Sequence, residues 1–139
     1  MSDRATISEV AEIVATQKAR RRRNRPEQAL QRAIVQHLET RPAPGIFWCH
    51  YPAGGARRPI EAKIFRGLGL KAGVPDLLLC RAGKLIAIEL KSPTGRLSKH
   101  QRATIAELTA AGCLVRVIDN IDGAVAWLEK LGFLRGEMQ

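Results

Sequence analysis

The stretch GVPDLLLCRAGKLIAIELK, residues 73–91, has the pattern of a β-hairpin. Two aliphatic runs, residues 77–80 and 85–90, flank a four-residue polar break that contains a glycine. Runs of this length around such a break are typical of a strand, a turn and a second strand. The second run is apolar on both of its faces, which is typical of a central strand that is covered on both sides. We therefore expect the chain to fold around this hairpin.

The register of the hairpin places three charged side chains together. If residues 82–83 form a two-residue turn, Asp76 lies directly opposite Glu89, with the two Cβ atoms roughly 5 Å apart. A three-residue loop with a bulge at Gly83 would shift the pairing by one residue and make the two acids diagonal neighbours. Lys91 lies two residues beyond Glu89 and therefore points to the same face. The sequence predicts that an aspartate, a glutamate and a lysine meet at one end of the hairpin.

Two neighbouring carboxylates at a strand end have two interpretations. Because like charges side by side cost stability, a divalent cation is one way to offset them, and oxygen-only ligands suit Mg²⁺ or Mn²⁺. In the other interpretation Asp76 and Glu89 only mark strand ends, and Lys91 neutralises Glu89. The triplet Glu-x-Lys occurs by chance in a chain this rich in charge. Spacing alone leaves a metal site and a plain charge cluster both open.

The composition describes a small basic protein. The chain of 139 residues is long enough for one domain with a modest core, and its formal net charge is +10. Such a charge favours a polyanionic partner, most simply a nucleic acid, over a soluble basic protein without one. No run reaches the roughly 18 apolar residues of a membrane span, and no signal peptide is evident. Three widely spaced cysteines predict reduced thiols, so we expect a cytoplasmic protein without membrane contact.

Several short motifs occur in the order found in a known family. Pro75-Asp76 followed by Glu89-Leu90-Lys91 resembles the PD-(D/E)xK nuclease superfamily. GVPDL, ELK and the downstream Gly-Arg-x-Ser-x-x-Gln of residues 95–101 resemble its VRR-NUC branch, including stand-alone members similar to Holliday-junction resolvases. The resemblance covers about residues 24–132. One departure is Ala53, which stands where the pattern leads us to expect asparagine.

The resemblance implies metal-dependent hydrolysis of DNA phosphodiester bonds. Asp76 and Glu89 would hold one or two Mg²⁺ ions, for which Mn²⁺ can substitute. The backbone carbonyl of Ile88 or of Leu90 is a further candidate ligand. Lys91 would orient the attacking water or neutralise charge that develops on the phosphate.

A helix upstream supplies a third candidate ligand. Pro26 suits the first turn of a helix, which we expect to begin there and to run to about Glu39. Glu27 lies two turns before Ile34 on the apolar stripe of that helix, although acids in a first turn usually face water. The helix N-terminus is a structural reason for an acid at this position. In the family that the chain resembles, a helix glutamate here binds the metal, and Glu27 is the residue that matches.

A second helix follows the hairpin. Ser98 is a good N-cap, and Gln101 three residues later completes a capping box. Gln101 also shares a stripe with Ile105 and Leu108, so it is expected to face the sheet. By resemblance to the family, Gln101 is a residue that supports the catalytic strand.

Basic residues on several segments are candidates for contact with the nucleic-acid backbone. The run at residues 18–25 is either a phosphate-binding arm or a solvated linker, and the glycine-rich loop at residues 52–58 is either a phosphate contact or a plain turn. The helix that begins at Pro59 is expected to turn Ile60, Ile64 and Leu68 inward. The predicted nucleic-acid-binding residues are Arg22, Arg23, Arg57, Arg58, Lys63, Arg96 and Lys99.

The order of elements predicts an α/β fold of the restriction-endonuclease-like type. A mixed four-stranded sheet would be flanked by helices in the order αβαββαβα, with a parallel crossover after the hairpin. We expect a nuclease domain over residues 24–135, preceded by a helical or mobile basic extension, residues 1–23, and followed by a tail, residues 136–139.

The sequence predicts the type of reaction more specifically than it predicts the substrate. Structured DNA such as a junction or flap follows from the resemblance, and a two-fold junction would suit a homodimer. A nuclease that acts on RNA, and a catalytically inactive basic module that only binds nucleic acid, are the alternatives. The paired acids argue against the pure binding module, because they would repel a polyanionic ligand.

Overall fold

A computed structural model describes residues 6–52 and 58–136, with residues 17 and 19–24 described by their backbone alone. The elements follow the predicted αβαββαβα order, and the predicted small α/β fold is confirmed. The helices are α1 Ile7–Thr40, α2 Pro59–Gly67, α3 Lys99–Ala110 and α4 Ile121–Lys130. The strands are β1 Ile46–His50, β2 Leu77–Arg81, β3 Lys84–Leu90 and β4 Leu114–Ile118.

The four strands form one mixed sheet in the order β1-β2-β3-β4. The first three strands are antiparallel, and β4 runs parallel to β3 after the α3 crossover, as predicted. Arg81 pairs with Lys84 across the hairpin, and Leu77 pairs with Ile88. The loop is therefore the two-residue turn, and its positive φ angles, 50° at Ala82 and 76° at Gly83, fit a turn that follows the strand twist.

The core lies between one face of the sheet and two helices. Alternate residues of β2 and β3 point to this face, including the fully buried Leu77 and Ile88. The C-terminal half of α1 covers them with Ile34 and Leu38, and α4 adds Leu128. The remaining residues of β3 point to the opposite face of the sheet, where α3 lies.

The predicted helix start at Pro26 is wrong, because α1 continues through Pro26 from Ile7 to Thr40. The helix begins at a capping box, in which Thr6 accepts from the backbone of Glu9 and the Glu9 carboxylate accepts in return. A proline inside a helix costs about 3 kcal/mol. Strong helix formers, mostly alanine, arginine, glutamate and glutamine, surround Pro26 in this segment and favour continuation of the helix.

The prediction that α2 turns its apolar residues inward is also wrong. Ile60, Ile64 and Leu68 are 67%, 57% and 78% exposed, and α2 contains no buried residue. Within residues 6–52 and 58–136, the backbone of α2 lies close to no other helix or strand. The periodicity of the sequence predicts a helix with an apolar face, but this face is not covered by the described part of the chain. Across the same residues, no helix combines the length and apolarity needed to cross a membrane.

The segment between α2 and β2 is fastened to the body of the domain. The Tyr51 hydroxyl donates to the carbonyl of Lys71 at 3.3 Å and accepts from the Lys71 backbone amide at 3.1 Å. The Thr104 hydroxyl of α3 donates to the Ala72 carbonyl at 2.7 Å. The next residue, Gly73, has a φ of 75° and passes so close to α3 that a Cβ atom would overlap the backbone carbonyl of His100.

We predict that Gly73→Ala destabilises the protein more than Gly45→Ala does. Both glycines have nearly the same positive φ, 75° and 76°, so the strain of alanine is similar at both positions. Only Gly73 faces neighbouring backbone, whereas a Cβ at Gly45 would meet nothing within 4 Å. The overlap should lower the free energy of unfolding by about 1–3 kcal/mol beyond the shared strain. Urea unfolding of the two variants measures the difference, and equal losses would contradict the prediction.

Candidate active site

A cleft of about 600 Å³ opens at the end of the sheet where β2 begins and β3 ends. Helix α1 reaches this edge from one face, and the first turn of α3 reaches it from the other. Because β2 and α3 begin here, β3 ends here and α1 passes alongside, the cleft collects polar groups that are distant in the sequence. Its lining includes the acids Glu27, Asp76 and Glu89, together with Gln101.

Asp76 is held at the edge of the sheet by the neighbouring strand. Its Oδ2 atom accepts a hydrogen bond from the backbone amide of Leu90 at 2.8 Å. The hairpin register continues past Leu77 and Ile88, so Asp76 lies beside Glu89, as the two-residue turn predicts. The two carboxylates are therefore neighbours at one end of adjacent strands.

Glu89 is the most deeply placed of the acids, with 2% of its surface exposed. Its Oε1 atom accepts a hydrogen bond from Nε2 of Gln101 at 2.7 Å. The Lys91 ammonium lies 3.6 Å from the same oxygen, and its side chain is also largely buried. Ser98 and Gln101 form the predicted capping box at the start of α3, in which the Ser98 backbone amide donates to Oε1 of Gln101 at 2.8 Å. The Gln101 side-chain amide is therefore held at its oxygen by Ser98 and at its nitrogen by Glu89.

Glu27 approaches the cleft from α1. It is half-buried, and its Oε1 atom accepts from the backbone amide of Ser92 at 3.3 Å. This bond joins the helix to the residues that follow β3. Glu27, Asp76 and Glu89 thus converge from three elements, and Lys91 is the cation next to Glu89.

The electrostatics of the cleft favour the neutral forms of Glu89 and Asp76. Burial, together with the nearby charges of Asp76 and Glu27, raises the pKa of Glu89 to about 7, against the lowering effect of Lys91. Burial also raises the pKa of Asp76, against the lowering effects of the Leu90 amide, His50 and Lys91. Three carboxylates near one ammonium leave an excess of negative charge, which a bound cation would offset.

The donor set suits a hard divalent cation, because all three converging acids present oxygen. Among the described residues, no three histidine, cysteine, aspartate or glutamate side chains already lie close enough to enclose a metal ion by themselves. Magnesium does not require such a cage, since it commonly keeps several waters and binds through one or two carboxylates.

The family model described as the VRR-NUC domain matches residues 25–120, which is more than half of the chain. The chain belongs to the VRR-NUC family. A solved structure described as a VRR_NUC domain protein is 25% identical, covers 81% of this chain and 95% of its own, and aligns with a TM-score of 0.60. Comparison with curated proteins gives no significant match.

Membership of the VRR-NUC family makes this a nuclease-type domain, and the fold and motif order fit that class. Asp76, Glu89 and Lys91 carry the motif that resembled this family in the sequence, and the structure places them side by side. Leu90 lines the cleft as well, while its amide serves Asp76. The role of its carbonyl as a metal ligand stays a prediction.

His50 is a polar residue of the cleft that the sequence did not identify. Its Nδ1 atom lies 2.7 Å from the backbone carbonyl of Asp76, and its side chain lines the cleft with Tyr51. His50 ends β1 and pairs with Leu77, the residue after Asp76. Extending the hairpin register to a third strand would have placed it here, but the sequence did not show which strand pairs with β2.

The predicted nucleic-acid contacts divide between two regions. Arg96, just before α3, and Lys99, its first residue, are exposed next to cleft residues Ser98 and Gln101. Arg58 and Lys63 are exposed at α2, where Arg58 also pairs with Glu61 at 2.7 Å. Arg57 and the side chains of Arg22 and Arg23 lie outside the described part of the chain.

We predict that the metal-free protein loses stability as pH rises from about 4.5 to 7 because of Glu89. Its pKa is raised from 4.5 to about 7 in the folded state, so the folded chain holds this proton more tightly than the unfolded chain does. The penalty for ionising Glu89 is at most about 3 kcal/mol.

The measurement is urea unfolding in EDTA at several pH values, for the wild type beside Glu89→Gln. The stability of the wild type relative to this variant should fall across the interval and level off above about pH 7. Parallel pH profiles for the two proteins would contradict the assignment.

Proposed function

We propose that this protein is a metal-dependent endonuclease that hydrolyses DNA phosphodiester bonds. The observation that carries the proposal is the meeting of Asp76, Glu89 and Lys91 in the cleft of a VRR-NUC domain. A buried acid with a raised pKa beside a second acid is a costly arrangement for a protein that only binds a polyanion. This arrangement is explained if the acids bind a cation and the cation and Lys91 act on a phosphate.

Asp76, Glu89 and Glu27 are the residues that would hold Mg²⁺ or Mn²⁺, with the Leu90 carbonyl as a further ligand. The ion would supply Lewis acidity toward the scissile phosphate and lower the pKa of a water molecule. The chain itself contributes the placement of the ligands. The Leu90 amide orients Asp76, and Gln101 orients Glu89, so neither carboxylate has to be ordered when the ion binds.

Lys91 would act on the reacting groups from the face of the sheet that also carries Asp76 and Glu89. Its ammonium is a compact charge on a flexible stem, and it lies 3.6 Å from Glu89 in a largely buried position. Low exposure makes its charge more effective, because water screens it less. From there it can stabilise negative charge on the phosphate or hold a water molecule for attack.

DNA is the proposed substrate because the chain has a formal net charge of +10 and exposes basic side chains beside the cleft. Arg96 and Lys99 would contact the phosphate backbone at the cleft, with Arg58 and Lys63 as contacts at α2. We propose a branched DNA, a junction or flap, as the preferred form, cleaved by a homodimer whose symmetry matches that of a junction.

We predict that Lys91→Ala reduces the rate of Mg²⁺-dependent DNA cleavage by about 10²–10³, the usual loss when one group that stabilises developing charge is removed. Lys84→Ala is the matched control, because Lys84 begins the same strand but is exposed at the hairpin turn, away from the cleft. Labelled duplex, single-stranded, flap and four-way-junction DNA, with an RNA duplex alongside, should be tested with Mg²⁺, Mn²⁺ or EDTA.

Cleavage that depends on metal, is lost in Lys91→Ala and is kept in Lys84→Ala would support the proposal. Tight binding without cleavage of any substrate would favour the inactive binding module, and preferential cleavage of RNA would overturn the choice of substrate. Calorimetric titration with Mg²⁺ tests the metal site without any substrate. Asp76→Ala should weaken Mg²⁺ binding in this titration, whether or not the protein cleaves DNA.

We predict that the wild-type protein is a dimer at micromolar concentration. A two-fold assembly presents two clefts, which a symmetric junction requires for paired cuts. Static light scattering after size-exclusion chromatography gives the mass directly, against the 15.3 kDa of a single chain. A mass of one chain at all micromolar concentrations would count against a junction resolvase.

A further inference from the structure

Two helical segments of this chain expose apolar stripes that the described residues leave uncovered. The first, the α2 stripe, consists of Ile60 and Ile64 on α2 and of Leu68 at its C-cap, which are spaced four residues apart and are each more than half exposed. Side chains at this spacing form one row along a helix. Contiguous exposed apolar rows of this kind mark surfaces that bind another protein.

The second, the α1 stripe, lies on the N-terminal half of α1. It consists of Ile7, Val10, Ile13 and Val14, which are 42–92% exposed. All residues from 6 to 16 are exposed, whereas the buried residues of α1 belong to its C-terminal half. An isolated helix in water is only marginally stable, and most helical stability comes from packing of an apolar face. This half of α1 is therefore expected to pack against a partner.

The charges of the two segments are complementary. Residues 6–16 carry two acids, Glu9 and Glu12, and no base, so their net charge is −2. Residues 58–68 carry three bases and one acid, so their net charge is +2. The acidic segment is unusual in a chain with a net charge of +10, in which most surfaces repel one another. The basic helix is thus a favourable surface for the acidic one to contact.

The two stripes cannot meet within one chain without breaking α1. The helix is continuous over 34 residues, about 50 Å, and Ile34 and Leu38 fix its C-terminal half in the core. Its N-terminal half therefore projects away from its own domain. A partner must come from another molecule, and a second copy of this chain carries the complementary stripe.

We propose that two copies associate by reciprocal exchange, in which the α1 stripe of each copy packs on the α2 stripe of the other. The two-fold operation creates both contacts at once, as a closed dimer requires. The seven side chains expose on the order of 400 Å² of apolar area per copy. That is about half of the roughly 800 Å² that each partner buries in a standard stable interface, which is close to the usual apolar share.

The inference deepens the homodimer of the proposed function and does not rest on catalysis. Under this arrangement the acidic segment covers the apolar stripe of α2, and the exposed residues Arg96 and Lys99 beside the cleft lie outside the two contacting stripes. The assembly state and the cleavage reaction are measured separately, so one can fail without the other.

The test introduces one charge into each stripe. Ile13→Asp damages the α1 stripe and Ile64→Asp damages the α2 stripe, and both positions are exposed, so the fold of the monomer should persist. Phe47→Asp is the matched control, because Phe47 is 65% exposed on β1 and belongs to neither stripe. Sedimentation velocity at micromolar concentration measures the dimer, and circular dichroism checks the helix content.

Each single variant should weaken the dimer by tenfold or more in dissociation constant, and the Phe47→Asp protein should match the wild type. An equimolar mixture of the Ile13→Asp and Ile64→Asp proteins should recover dimer, because one undamaged α1 stripe then meets one undamaged α2 stripe. A tag on one protein identifies the heterodimer by mass.

Three outcomes would overturn the inference. The wild type is monomeric, only one of the two variants loses the dimer, or the mixture of variants recovers nothing. Loss in the Ile13→Asp protein alone would show that α1 pairs with α1 of the partner, and loss in Ile64→Asp alone would show pairing of α2 with α2. If the wild type and the variants give all the expected dimer results but the wild type cleaves no DNA, the interface is supported and the proposed function is contradicted.

Discussion

The burial of Glu89 is the constraint on which the rest of the site depends. A carboxylate with 2% exposure loses most of its hydration, so it is retained only where neighbours replace the lost interactions. Gln101 and Lys91 are those neighbours, one placed by the first turn of α3 and the other by the alternation of the strand. Helix α3 lies close enough because Gly73 has no side chain to hold it away. The geometry of the site therefore depends jointly on β3, α3 and Gly73, which meet at this end of the sheet.

The charge at the cleft is opposite to the charge of the molecule. Three acids converge in a chain with a formal net charge of +10, and the adjacent Lys91 does not balance them. A polyanion would be attracted to the surface as a whole and repelled at the cleft. Under the proposed function, a divalent cation removes this contradiction, because it neutralises the acids and faces the phosphate.

Local physics explains which features the sequence could predict. Two turn residues determine the hairpin register, so the meeting of Asp76 and Glu89 follows without knowledge of the rest of the fold. The capping box of Gln101 is equally local. The position of His50 depends on β1 pairing with β2, whose residues are about thirty positions apart, and no local pattern specifies that pair. Predicting the start of α1 at Pro26 failed because the capping box at Thr6 begins the helix earlier.

The incorrect prediction that α2 turns its apolar residues inward has a different cause. Hydrophobic periodicity shows that a helix has an apolar face, but it does not show what covers that face. The two hydrogen bonds between the Tyr51 hydroxyl and the Lys71 backbone join the ends of the segment that contains α2. A loop whose ends are already tied can change length at little cost, about 0.6 kcal/mol for each doubling. The described residues 58–70 can therefore change in length at little cost to the cleft, because the bonds between Tyr51 and Lys71 hold the two ends of this segment in place.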